Sequence, residues 1–230
     1  MTGQLPLDLE LRPALGREDF LVTASNAAAV ALVDQWPNWP SNAAMILGPA
    51  GSGKSHLAEV FRFRAQAQHL YARKLATENV PFLLASGALI LEDCDQGPLD
   101  ERAVFHAFNV ASQDGGHLLL SARTSLSTWG VKLPDLLSRL QAVPAIAMLL
   151  PDDALLRGVL VKHFRDRQIA ITEKSITYMA QRIPRSLDAV RAIVAEIDRQ
   201  AMAERAEITH PFITRVLSGF TNPALFPYGD

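Results

Sequence analysis

An uninterrupted stretch from Gly48 to Ser55 reads GPAGSGKS and follows the apolar run Ala43-Ala44-Met45-Ile46-Leu47. Glycines at Gly48, Gly51 and Gly53 permit backbone conformations and a close approach that turn successive amide N–H groups toward phosphate oxygens. Lys54 supplies a positive charge that reaches the β- and γ-phosphates, and the Ser55 hydroxyl suits magnesium. The helical pattern that begins at His56 adds the partial positive charge of a helix N-terminus. The chemistry is that of a nucleotide site, expected to use Gly48, Gly51, Gly53, Lys54, Ser55 and His56 for ADP or ATP, with magnesium.

Such a loop needs acids and further polar groups beside it. Ala88-Leu89-Ile90-Leu91 reads as a buried strand that ends in Glu92-Asp93. Carboxylates at that end are where magnesium and an attacking water require them, so Glu92 is assigned to the metal and Asp93 to orienting water. Glu92 departs from the usual aspartate at the first position. A second buried strand, His117 to Ser121, ends in Ser121-Ala122-Arg123-Thr124, where either Ser121 or Arg123 is placed to sense the γ-phosphate; Ser121 is carried among the nucleotide contacts. Arg139, near the end of LPDLLSRL, reads on its own as a surface salt-bridge residue; the alternative is an arginine finger entering a neighbour's nucleotide site. Arg185, opening a long helical pattern, reads likewise as a solvated residue or as a contact to nucleotide.

The elements that must position these groups are legible in outline. Ser25 or Asn26 is expected to cap a helix from Ala27 to about Gln35, and Trp36 and Trp39 read as packing residues. Strand runs are expected at Ala43–Leu47, His69–Arg73, Ala88–Leu91, His117–Ser121 and Ala145–Leu149. Helices are expected from about Leu57 to Gln66, Leu99 to Asp114 and Leu133 to Leu140. After Pro151-Asp152 strand signals stop. Helical patterns then run over Ala154–Gln168, Thr172–Arg182, Ser186–Arg205 and Pro211–Leu217, with Thr172 and Thr209 as caps. The expectation is an α/β P-loop core with a five-stranded parallel sheet and a C-terminal all-α lid. It divides as an extended tail over 1–15, a nucleotide-binding domain over 16–150 and a lid over 151–230.

Composition narrows the class. The chain has 230 residues and a formal net charge of -2, which argues against a protein whose main affinity is for the nucleic-acid backbone. Cys94 is the single cysteine, so no internal disulfide forms, and it reads as a packing residue rather than a nucleophile. No targeting stretch and no membrane-length apolar run is evident, and the chain is expected to be cytoplasmic. The opening stretch QLPLDL carries a proline and alternates apolar with polar residues, suiting an extended tail or an edge strand. Leu5, Leu7 and Leu9 either pack on the chain's own surface or dock on a partner. Phe226 and Tyr228 are expected to dock on the body.

In order along the chain, FLVTASNAAAVAL, GPAGSGKSHL, LILEDCD, LPDLLSRL and RIPRSLDAVRAIVAEIDRQAMAE resemble the AAA+ core of the DnaA replication-initiator family, from about Phe20 to Leu217. QLPLDL resembles the peptide by which bacterial proteins dock on the DNA polymerase III sliding clamp, its beta subunit, with Gln4 in a polar pocket and Leu5, Leu7 and Leu9 as the apolar contacts. The chain is expected to run out after the lid with no helix-turn-helix for reading DNA, which makes it similar to regulatory members of the family. The resemblance implies a negative regulator of replication initiation. It would bind the clamp and offer Arg139 in trans to the initiator DnaA, stimulating hydrolysis of the ATP held there. It also implies that Arg185 contacts the chain's own nucleotide, ADP in this family. Glu92, and Ala122 where aspartate is expected, fit a protein that binds nucleotide more than it turns it over. Partners are then the clamp and DnaA, with a homodimer as a further arrangement, no sequence-specific DNA contact and no membrane. The competing reading is an autonomous ATPase such as a helicase loader or remodelling factor; a small-molecule kinase lacks any acceptor insertion.

Overall fold

Three of the apolar runs become strands covered on both faces. A computed structural model of the chain describes residues 20–220. In it β1 (Ala43–Leu47), β3 (Ala88–Glu92) and β4 (His117–Ala122) are buried almost throughout, as expected of central strands in a parallel sheet. The edges are β2 (Gln68–Tyr71) and β5 (Ala145–Ala147), both partly exposed. The order is β2-β3-β4-β1-β5, and every pairing is parallel. β4 therefore inserts between the strand feeding the phosphate loop and the strand carrying Glu92.

Alternation along the strands divides the core into two layers. Met45, Leu89, Leu91, Leu118 and Leu120 pack with α4 (Glu101–Asp114) and α5 (Pro134–Ala142) through Val104, Phe108, Leu136 and Leu140. On the other face Ala44, Ile46, Ile90 and Leu119 meet α1 (Ala27–Asp34) and α2 (Lys54–Ala65) through Val30, Val33, Leu57 and Phe61. Trp39 stacks on Phe61 at 5.3 Å and donates its indole N–H to Leu32 O at 2.6 Å, which bears out its reading as a packing residue. Cys94 is buried, and loss of solvent pushes its thiol up to about 12.

Between β2 and β3 the chain makes two 3₁₀ turns and a short helix, α3 (Val80–Leu84). After β5 come α6 (Asp153–Asp166), α7 (Glu173–Ala180), α8 (Leu187–Glu204) and α9 (His210–Phe220). They share a separate apolar cluster that includes Leu160, Phe164, Ile176, Met179, Ile193, Val194, Ile197 and Ile213, so the lid carries its own core. Thr172 accepts from Ser175 N as its cap, and Thr209 from Phe212 N at 3.4 Å.

Several expectations need correction. β5 stops at Ala147 because Met148 N makes the last bond to Leu47 O and Leu149 N turns away to Ser25 O. Leu149 is accordingly 62% exposed. β2 ends at Tyr71 in a 3₁₀ turn, Ala72–Lys74. α4 starts after Leu99, where Asp100 accepts from Ala103 N at 3.0 Å. Asn26 occupies the cap position of α1 without capping it; its side chain accepts from Thr23 N and donates to Leu21 O, tying down the preceding turn instead. Gln4, Leu5, Leu7, Leu9, Phe226 and Tyr228 lie outside the described residues.

Candidate functional site

The phosphate loop leaves the C-terminal end of β1 and enters α2 at Lys54, two positions before the helical pattern starts in the sequence. Its backbone leaves no room for larger residues. A Cβ on Gly48 would meet Met148 O at 2.6 Å, and Gly51 holds φ +72, a left-handed conformation that favours glycine. Lys54 is 7% exposed, and its Nζ donates to Gly48 O at 2.6 Å and Pro49 O at 3.0 Å. Burial lowers its pKa against the opposing pull of Asp93, Asp95 and Glu92. Ser52 Oγ, inside the loop, is buried without a hydrogen-bond partner.

Glu92 at the end of β3 reaches Ser55. The hydroxyl donates to Glu92 Oε2 at 3.2 Å. Glu92 is 2% exposed, and its other oxygen, Oε1, is buried with no partner. An orphaned carboxylate oxygen beside a serine hydroxyl is a hard-oxygen donor pair, which fits magnesium held by one carboxylate, water and phosphate oxygens. No cluster of three or more histidine, cysteine or acidic side chains forms a full protein cage among the described residues. The residues present therefore suit a metal that arrives with the nucleotide.

Asp93, in left-handed backbone at φ 53, donates its N–H to Ser121 Oγ at 3.3 Å. Cys94 N donates to Ser121 O at 2.9 Å, so Ser121 braces the acidic turn from the neighbouring strand. The Asp93 carboxylate lies 3.9 Å from Arg123 Nε. Two residues that sequence reasoning missed complete this corner. Asp95 Oδ2 accepts from Arg123 N, Thr124 N and Thr124 Oγ1 at 3.0, 2.8 and 2.7 Å. Burial pushes its carboxyl upward, but those hydrogen bonds outweigh burial and hold it below the ordinary range. His69 on β2 places Nδ1 3.1 Å from Glu59 Oε1 and Nε2 3.5 Å from Glu92 Oε2. Glu92, the larger influence, and Glu59 raise its pKa against the lowering by burial.

The lid closes onto the loop through the start of α8. Leu187 N donates to Gly51 O at 2.9 Å, and a Cβ on Gly51 would stand 2.0 Å from Ser186 Oγ. Arg185, one residue earlier, is 54% exposed and turns to the hinge, donating to Pro151 O at 3.2 Å and Asp153 Oδ1 at 2.6 Å. His56 packs its ring 4.9 Å from Phe20, and a Cβ on Gly158 of α6 would stand 2.8 Å from Leu21 Cδ1, so the segment before α1 links core and lid. Arg139 sits elsewhere. Its Nη2 donates to Asn109 Oδ1 at 2.7 Å and its guanidinium lies 5.0 Å over Phe105, both on α4 rather than on the phosphate loop.

The likeness to known proteins falls on the same parts. Residues 153–217, which run from the first residue of α6 into α9, match the family described as the Hda lid domain. A protein of Haemophilus influenzae described as uncharacterized is 26% identical over 190 residues, covering 75% of this chain and 80% of its own. Domain III of the replication initiation protein DnaA from Thermotoga maritima superposes with a TM-score of 0.77 at 17% identity, covering 92% of this chain and 98% of that one. DnaA from Aquifex aeolicus bound to AMPPCP superposes with a TM-score of 0.65 at 18% identity, covering 82% and 66%. A phosphate loop at the end of β1, β4 set between β1 and β3, and a lid matching that family and resting on the loop give the chain a DnaA-like AAA+ fold with an Hda-like lid.

Proposed function

We propose that the chain is a regulator of replication initiation that binds ADP or ATP and acts on a nucleotide held by DnaA. The observation that carries this reading is the Hda-type lid seated on the phosphate loop through Leu187 N and Gly51 O. The nucleotide-binding domain is assigned to 16–150 and the lid to 151–230. Backbone amides of the loop bind the phosphates, and Lys54 exchanges the Gly48 and Pro49 carbonyls for phosphate oxygens, a charge-assisted contact. Ser55 and Glu92 would hold magnesium, which when bound spreads and neutralises phosphate charge. Arg185 lies one residue before the contact with Gly51, close enough in sequence for the lid to carry it from Asp153 to the nucleotide.

Own turnover is expected to be slow. Asp93 needs a free carboxylate to orient water, and Arg123 stands 3.9 Å from it. Arg139, held on α4 away from the chain's own loop, is then the arginine finger offered to DnaA. Gln4, Leu5, Leu7 and Leu9 tether the protein to clamps on DNA, raising its concentration near the initiator. The test is release of phosphate from ATP bound to DnaA in the presence of clamp loaded on DNA. Addition of this protein should accelerate release, and a variant with Gln4, Leu5, Leu7 and Leu9 changed to alanine should lose both clamp binding and the clamp-dependent part of the acceleration. Steady turnover of about 1 per second by the isolated protein, with no effect on DnaA, would favour the autonomous ATPase.

A further inference from the structure

Glu92 is buried and carries one orphaned oxygen, an arrangement that costs free energy unless something holds the carboxylate for a ligand. A glutamate has one more side-chain torsion than the aspartate expected at this position. Reaching Ser55 is therefore not enough to fix it. The second anchor comes from the edge strand. In the β2–β3 register Tyr71 pairs with Glu92 and His69 with Ile90, so His69 lies one strand over and two residues behind. Its Nε2, a buried nitrogen with no hydrogen-bond partner, stands at ion-pair distance, 3.5 Å, from the oxygen that also accepts from Ser55 Oγ.

The imidazole is itself pinned from behind. Nδ1 lies 3.1 Å from Glu59 Oε1, and the other oxygen of Glu59 pairs with Arg62 Nε at 2.8 Å. Glu59 is one turn after Ser55 on α2, so the helix that presents the serine also braces the histidine. Ser55, Glu92, His69 and Glu59 thus form one chain of contacts linking α2, β3 and β2. We infer that His69 is a positioning residue for the magnesium site, fixing Glu92 through Oε2 and leaving Oε1 for the cation or its water. The inference rests on the nucleotide reading above. Outer partners of ligating carboxylates are typically worth about 10- to 100-fold in metal affinity.

The test measures binding of a fluorescent ADP analogue with and without magnesium, and the magnesium concentration giving half the metal-dependent change. For His69→Ala that concentration should rise by about 10- to 100-fold, while affinity without magnesium stays at the wild-type value. His69→Gln, which keeps an N–H donor toward Glu92, should restore most of the response. Glu59→Gln, which weakens the rear anchor, should shift the response in the same direction by less, and serves if His69→Ala does not fold. An unchanged magnesium response in His69→Ala, or in Glu59→Gln where the first variant is unfolded, would overturn the inference and leave the nucleotide site standing. Equal weakening with and without magnesium would also overturn it, by showing a general structural role. A wild-type protein that binds no ADP would overturn the nucleotide reading and this inference together.

Discussion

Lys54 and Arg139 are both cations suited to phosphate, and the molecule keeps them in contrasting surroundings. Lys54 is buried at the start of α2, its ammonium resting on carbonyls of the phosphate loop. Arg139 is held on a helix surface by one hydrogen bond to Asn109 and by the face of Phe105, with most of its planar fork not committed to an acid. A buried, locally satisfied lysine serves a ligand bound within the fold. A braced arginine on the α4–α5 side suits a phosphate brought by another molecule. That division between a retained nucleotide and an exported catalytic charge is what the proposed function requires.

Substitutions that separate the two cations sharpen the contrast, beginning with the largest effect. Arg139→Ala should lower the accelerated hydrolysis of DnaA-bound ATP by at least ~10³, the low end for an arginine finger supplied in trans. Its affinity for ADP, read by fluorescence titration, should not change. Retained acceleration would remove the finger assignment and return Arg139 to a clamp between α4 and α5. Lys54→Ala should do the reverse at the chain's own site, weakening ADP binding on the order of 10- to 100-fold, as expected for loss of one charged hydrogen bond. Undiminished ADP binding would break the comparison, since the loop would then not be the nucleotide site.

Gly51→Ala tests whether the lid contact belongs to that site. The left-handed φ costs alanine about 1–2 kcal/mol, and the added Cβ would strike Ser186 Oγ. Thermal unfolding should fall by roughly 2–8 °C for a chain of this size. A further effect is expected from acid. Burial, aided by Arg167, lowers the His163 pKa in α6 from 6.5 to about 4. The unfolded chain therefore binds more protons between those values, so the contribution of His163 is present above about pH 6.5 and is lost as pH falls toward 4. His163→Gln should flatten that part of the stability profile measured by thermal unfolding; an equal slope in the variant would assign it elsewhere.

What the sequence disclosed and what it hid follow from the range of the interactions. The phosphate loop, the capped lid helices and the buried strands are local patterns, readable from spacing and periodicity alone. His69 and Asp95 were not legible, because each acquires its meaning from a neighbour on another element: Glu92 on the adjoining strand, and the backbone of Arg123 and Thr124 after β4. Asn26 shows the limit of cap reading, since a side chain at the right position found nearer partners in Thr23 and Leu21. The hinge-facing pose of Arg185 depends on Asp153 and the Pro151 carbonyl, a choice set by lid placement rather than by local sequence.

The most direct measurement is to load DnaA and this protein with differently labelled ATP, combine them with clamp on DNA, and follow which label becomes ADP. The division of labour between Lys54 and Arg139 predicts rapid conversion of the nucleotide on DnaA while the label on this chain stays bound and turns over slowly. Rapid hydrolysis of the label on this chain, with the DnaA label unchanged, would contradict it.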